Sequence, residues 1–417
     1  MIDAWIAQKV HVFRLFLMKK LPLLFLFLLL GLLTACNIPE RETQQPTREP
    51  EKIQLIPTFT PLPTDPPAPT NTPLPTATVN PSSFGPTGFP SDVNPLTGKR
   101  VEDPQLLERS PLAVKVQIFP RGQRPPWGVT LADIVYDFYQ NNGLTRFHAI
   151  FLGNDALQVG PIRSARLFDG ELVEMYKSIF AFGGADRRIL TKLLNAPYAD
   201  RLILEGYSQC PPMCRVDPNG LNYLMTNTHD LSEYAAQQGI SNGRQNLDGM
   251  TFNTITPAGG EPINKVIIRF SISSYNSWDY DVETGRYLRF QDTHESPDIP
   301  TQGYEALIDP LTGEQIAADN IVIVLAPNEF TPGSKPGKSE IVEITLSGSG
   351  QAFAFRDGQK FDVIWNRPED SSVLFLTYPD GSPFPFKPGN TYFEVIGQSS
   401  KIDIPGDGTI NYHFSIP

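Results

Sequence analysis

The stretch "VGPIRSARLFDGELVEMYKSIFAFGGADRRILTKLLN", residues 159–195, changes hydrophobic period three times, and those changes decide the fold class. Behind Gly160-Pro161, Leu172, Val173, Met175, Tyr176 and Ile179 recur at the spacing of one buried helical face, with Asp169 as the expected N-cap. "SIFAFGGA" then reads as a short buried strand closing on Gly183-Gly184. A second helix follows over "DRRILTKLLN", opened by Asp186 and ended before Pro197. Upstream, "LAVKVQI" and "LTRFHAIFLG" read as strands, and "RPPWGVTLADIVYDFYQ" as a turn leading into an extended run; downstream, "RLILEG" is another strand. Strands alternating with helices predict an α/β sandwich with a crossover unit over residues 94–245.

Beyond "TPAGGEPINK" the texture shifts to short alternating runs such as "KVIIRFSI", "NIVIVLA", "GQAFAFRDG" and "TYFEVIG", separated by Gly, Pro, Asp and Asn. Residues 260–417 therefore predict a mostly antiparallel β domain, a sandwich or open barrel. "RDGQK" is a hairpin turn signal between two such runs. The expected class is α+β, an α/β sandwich domain followed by a β-rich domain.

Before residue 94 the chain reads differently. "MKKLPLLFLFLLLGLLTAC", from Met18, has two lysines, a short apolar run and small residues before Cys36, the parts of a secretory signal. Leu33-Thr34-Ala35-Cys36 fits a lipobox, with Cys36 as the lipidated residue and Met18 as the true start. The apolar run falls short of the ~20 residues of a spanning helix. Residues 1–35 are thus expected to be a signal peptide and residues 36–93 a lipid-anchored, disordered Pro/Thr tether that holds the folded part outside the membrane.

The formal charge of −11 argues against a nucleic-acid partner, which would want a basic face. Outside the cell, Cys210 and Cys214 in "SQCPPMCRV" suit a local disulfide. Soft-metal binding with Met213 and His229, or free thiols, are the open alternatives. Phosphate-loop, dinucleotide, His-Glu-x-x-His and Gly-x-Ser-x-Gly signatures are all missing, and the histidines are scattered, so no cofactor and no metal is expected.

What stands out in this acidic chain is a cluster of arginines. Arg146 lies in "GLTRF", Arg163 and Arg166 in "GPIRSAR", and Arg187 and Arg188 open the second helix. In a strand–helix unit, strand ends and helix N-termini gather at one edge, where backbone N–H groups and guanidinium forks favour an anion. Arg146, Arg163 and Arg166, with Asp133 across from them, are the candidate site. The alternative is structural ion pairing of these arginines with Asp133, Asp169 and Asp186.

"NPLTG" at 94–98, "ADIVYD" at 132–137, "GLTRFHAIF" at 143–151, "GPIRSAR" at 160–166, "WDYDVETGRYLRF" at 278–290 and "AADNIVIV" at 317–324 occur in one order. In that order the chain resembles the YerB-like bacterial lipoproteins, which carry N- and C-terminal domains of unknown function 3048. The resemblance covers nearly all of the folded part and implies no biochemical activity. Its pattern would put an acidic residue near Asn141-Asn142, a His at Phe182 and a His-Asn pair near Asn222, where this chain differs. If those positions are catalytic in relatives, this member has altered that catalysis.

A looser similarity in arrangement is to the LytR-CpsA-Psr phosphotransferases. It implies an alternative in which the three arginines neutralise a lipid pyrophosphate and Asp133 assists a divalent metal. The main expectation is a binding or envelope-maintenance module with an anionic envelope ligand.

Overall fold

The computed structural model describes residues 82–206, 210–216 and 223–416. The signal peptide, Cys36, most of the tether and Asn222 lie outside the described residues.

The chain enters its core at β1 (Leu112–Gln117), followed by the hairpin of β2 (Ile134–Asn141) and β3 (Leu144–Phe151). Helix α1 (Leu167–Tyr176) leads to β4 (Ile179–Phe182), and α2 (Arg187–Leu194) to β5 (Leu202–Leu204), with α3 (Thr228–Gln237) beyond. Asp186 caps α2 as expected, accepting from Arg188 N. Asp169 does not cap α1. It is the third helical residue, and its carboxylate accepts from the backbone N of Arg166, the actual N-cap, at 2.6 Å.

The second half supplies β6 (Lys265–Arg269), β7 (Tyr275–Asp281), β8 (Arg286–Asp292), β9 (Tyr304–Ala306), β10 (Asn320–Ala326), β11 (Gly348–Arg356), β12 (Gln359–Arg367), β13 (Thr391–Gly397), β14 (Lys401–Asp403) and β15 (Thr409–His413). The β11–β12 turn places Asp357 and Gly358 at φ 53° and 74°, the left-handed pair that a two-residue hairpin loop demands.

The expected division into two domains divides the sequence but not the core. The main sheet runs β12-β11-β10-β13-β2-β3-β1-β4-β5, so strands of both halves lie side by side. The join is the parallel pairing of β13 with β2, Phe393 opposite Tyr136. A strand as apolar as "NIVIVLA" is buried along its whole length and needs neighbours on both sides. The second half alone does not supply them for β13, and residues 77–417 form one compact unit. The remaining strands form a second sheet, β9-β8-β7-β6-β15-β14, packed on one face of the first.

Because β2 and β3 are buried on both faces, alternate residues carry ionic groups in opposite directions. On the second-sheet side, the buried Arg289 donates to Asp137 and to Glu394, each at 2.7 Å, and Trp278 Nε1 donates to Glu394 at 2.9 Å. Burial alone would depress the Arg289 guanidinium, but the two carboxylates outweigh it and hold it above its ordinary value. Burial, and then Asp137, push Glu394 up to about 7. On the other face, Phe138 meets Phe168 of α1 edge to face at 4.9 Å, and the hydroxyls of Tyr136 and Tyr176 bond at 2.7 Å.

Candidate functional site

Of the nine strands in that order only β3 and β11 run against the rest, so β2, β1, β4, β5, β10, β12 and β13 end at a common edge. Such carboxyl edges are where open α/β sheets bind ligands. "GPIRSAR" crosses this edge and is laced to it. Gln117 N donates to Pro161 O, Arg163 N to Lys115 O, Gly183 N to Arg163 O and Ala165 N to Gly184 O, all at 2.8–3.0 Å. Gly160, at φ 152°, passes so close to the strand 224–226 that a Cβ would lie 2.7 Å from Met225 Sδ.

This path brings the three arginines together. Arg146, at the start of β3, and Arg166 both donate to the carbonyl oxygen of Ser164, at 3.0 and 3.4 Å. Arg166 also reaches Ala165 O at 2.9 Å and Asn141 Oδ1 at 2.8 Å, and Arg163 reaches Gln123 Oε1 at 2.7 Å. Burial pushes the Arg146 guanidinium down to about 9, and the charges of Arg166 and then Arg163 push the same way. Arg166 is likewise lowered, by burial against the pull of Asp169.

The structural pairing expected for the arginines forms at Arg188 but not at Arg146 or Arg166. Asp169 bonds Lys115 and His148 instead, and Asp186 takes Arg188 at 3.1 Å. Arg146 and Arg166 make no ion pair with a carboxylate within 4 Å among the described residues.

Asp133 is the second correction. It precedes β2 at the opposite, amino edge, whereas Arg146 sits opposite Phe138 in the β2–β3 pairing. Five residues of strand at ~3.3 Å each separate it from the arginines by roughly 16 Å. There its carboxylate accepts from Asn94 Nδ2 at 3.0 Å, Leu152 N at 2.5 Å and Gly153 N at 2.9 Å. Burial pushes it up to about 6 in spite of those donors.

Sequence reasoning missed the groups directly under the arginines. Lys115 Nζ lies 3.0 Å, and His148 Nδ1 2.8 Å, from the same oxygen of Asp169, and all three side chains are wholly buried. The Lys115 ammonium also sits 3.8 Å from the centre of the Phe138 ring, and His148 stacks on Phe180 at 4.7 Å. Burial pushes Lys115 down to about 7, Asp169 opposes this, and Arg146 and Arg166 add to it. Asp169 stays below its ordinary value because Lys115 and His148 outweigh its burial. His148 Nε2 has no hydrogen-bond partner. The signal available was a lysine inside the apolar run "LAVKVQI". Phe182, where the resemblance would put a His, stacks on Phe180 at 5.1 Å.

Cys210 and Cys214 are joined in a disulfide with their Cα atoms 4.8 Å apart, so neither thiolate is available to a soft metal. His229 instead pairs along α3 with Glu233 at 3.3 Å.

The fold thus defines a mixed α+β protein built on one shared sheet. The DUF3048 N-terminal domain, described as a protein of unknown function, matches residues 96–241, and the DUF3048 C-terminal domain matches residues 266–393. The chain belongs to the YerB-like family. It is 28% identical over 307 residues to the protein named as lipoprotein YerB in Bacillus subtilis strain 168, covering 72% of this chain and 85% of that one. The crystal structure of the YerB protein from Bacillus subtilis shares the fold, with a TM-score of 0.57 at 24% identity over 73% of this chain and 96% of that chain.

Proposed function

We propose that this protein is a lipoprotein, anchored through Cys36 on the outer face of the cell membrane, whose carboxyl edge binds an anionic ligand of the envelope. The observation that carries the reading is the convergence of Arg146 and Arg166 on one carbonyl oxygen, with Arg163 adding its charge and, among the described residues, no carboxylate paired to the first two. Guanidinium groups crowded in this way repel one another, and an oxyanion relieves that repulsion while accepting charge-assisted bonds. The N-terminus of α1 adds its dipole, although Asp169 already occupies one of its N–H groups. The phosphotransferase alternative asked Asp133 to hold a metal beside these arginines, and the roughly 16 Å between them removes that support.

The test uses the compact unit, residues 77–417, titrated with inorganic phosphate and pyrophosphate. The expected result is a rise in Tm that shrinks with added salt and is lost in R146Q and R166Q. Absence of any shift at about 10 mM of either anion, or a shift unchanged in both variants, refutes the reading.

A further inference from the structure

We propose that the cleft at the opposite, amino edge of the main sheet is a second binding site, which takes a small polar molecule through its carboxylate at Lys99 and Arg286. This inference does not rest on the arginine cluster.

The cleft has a volume of about 610 Å³, in the range of small-molecule sites. Its walls come from the loop 94–103, the lead into β2, the loop after β3, the start of β8 and the turns before β10 and β13. Much of the rigid frame is the "NPLTG" segment, which has no part in the anion site. Asn94 O accepts from Gly98 N at 2.8 Å, its side chain holds Asp133, and Thr97 O accepts from Gly389 N at 2.8 Å. Gly389, at φ 151°, lies so close to Asp319 that a Cβ would fall 1.9 Å from Oδ2. The wall is therefore built to a tight tolerance.

The charges facing the cleft are mostly already engaged. Asp155 bonds Arg109 at 2.7 Å, Arg100 pairs with Asp92, Asp103 accepts from Gln105 N, and Asp133 is filled by three donors. Asp319 is different. Lys99 Nζ stands 3.6 Å from one of its oxygens and Arg286 Nε 3.7 Å from the other, both too long for hydrogen bonds. Two cations thus share one carboxylate, which also accepts from Asn390 N at 3.2 Å; Arg286 Nη2 is held by Ala317 O and Asn390 Oδ1, at 2.9 and 3.1 Å, while its Nε donates to nothing among the described residues. The pull on a carboxylate is local, since the exposed Glu102 also lines the cleft: beside Asp319 an incoming carboxylate would balance the surplus of Lys99 and Arg286 and give Lys99 an acceptor. The neutral hydroxyl and amide groups of Thr130 and Asn154 on the walls suit a hydroxyl- or amide-rich body rather than an apolar one.

Isothermal titration of the same compact unit with two acids tests this: tri-alanine, a peptide with a free C-terminus, and digalacturonic acid, a sugar acid. Tri-alanine amide and the dimethyl ester of digalacturonic acid are the matched probes in which the carboxylate is neutralised. Lys99 is largely exposed, so K99Q leaves the fold intact, and R286K keeps the charge while altering the fork.

The expected result is a millimolar or tighter Kd for at least one acid, weakened about tenfold by K99Q and by neutralising its carboxylate. Binding of tri-alanine alone assigns the site to peptide carboxylates, and binding of digalacturonic acid alone to sugar acids. No binding of either acid at about 10 mM overturns the proposal. So does binding that neither the neutral probe nor K99Q weakens, or binding that R166Q abolishes while K99Q leaves it intact.

Discussion

Replacing Glu394 by glutamine should make the stability of this protein less dependent on pH, and the structure sets the size of the effect. Glu394 is wholly buried, with one oxygen bonded to Arg289 and Trp278 and the other unpartnered. A rise from 4.5 to about 7 means that the ionised carboxyl is less favourable in the folded than in the unfolded state by about 3 kcal/mol. The raised value fixes the sign. Between about pH 4.5 and 7 the folded protein holds a proton that the unfolded chain has released, so this contribution is fully present below 4.5 and is lost as pH rises through 7. Glutamine keeps the shape and an acceptor for Arg289 but cannot ionise. Urea unfolding of wild type and E394Q at pH 5 and pH 8 reports on this buried Glu394–Asp137–Arg289 group, because titrating groups distant from it cancel in the difference. At pH 5 the substitution should be near neutral or mildly destabilising. By pH 8 the difference should move in favour of glutamine by up to about 3 kcal/mol. A difference that is the same at both pH values would show that Glu394 does not titrate in the folded state near 7, and the reasoning from burial and Asp137 would fail.

D169N should cost up to about 3–5 kcal/mol near pH 6, where Lys115 loses the carboxylate that holds its proton, and clearly less at pH 9, where Lys115 is already neutral; chemical denaturation at the two pH values checks this. The sign follows from the lowered value of Lys115: the unfolded chain binds more protons between about 7 and 10.5, so the Lys115 contribution grows as pH rises through that window. G389A should lower stability by at least about 2 kcal/mol, read as a fall in Tm, because it adds a Cβ inside contact with Asp319 at a backbone angle that side chains avoid.

Local structure was legible wherever it is locally determined. The periods of "LFDGELVEMY" and "DRRILTKLL" name their helices, and Asp186 names its cap. Asp169 was misplaced because an acidic residue one turn inside a helix reads like a cap, and only the bond to Arg166 N shows that the cap is an arginine. The sharing of one sheet by the two halves was illegible for a different reason. A strand buried along its whole length, such as "TYFEVIG", carries no mark of which strand it will lie beside, and its neighbour β2 is more than two hundred residues away. The arginine cluster was readable from spacing along one turn. Its separation from Asp133 was not, because a hairpin sends the two ends of a strand to opposite edges and the sequence places them close together.

The charges inside the apolar runs carry the most information about the fold. Lys115 in "LAVKVQ", Asp137 in "IVYDFY", Arg289 in "RYLRFQD" and Glu394 in "TYFEVIG" each look like outward-facing positions of amphipathic strands, yet all are fully buried. A strand covered by helix on one face and by a second sheet on the other has no solvent side, so each ionic residue must find a partner across a layer. Alternation then sorts them: His148 and Lys115 meet Asp169 of α1, and Asp137 and Glu394 meet Arg289. On the helix side Asp169 is committed to Lys115, His148 and the α1 backbone, so it is not free to pair with the arginines above it. The positive surplus at the carboxyl edge is therefore a consequence of how the core is neutralised.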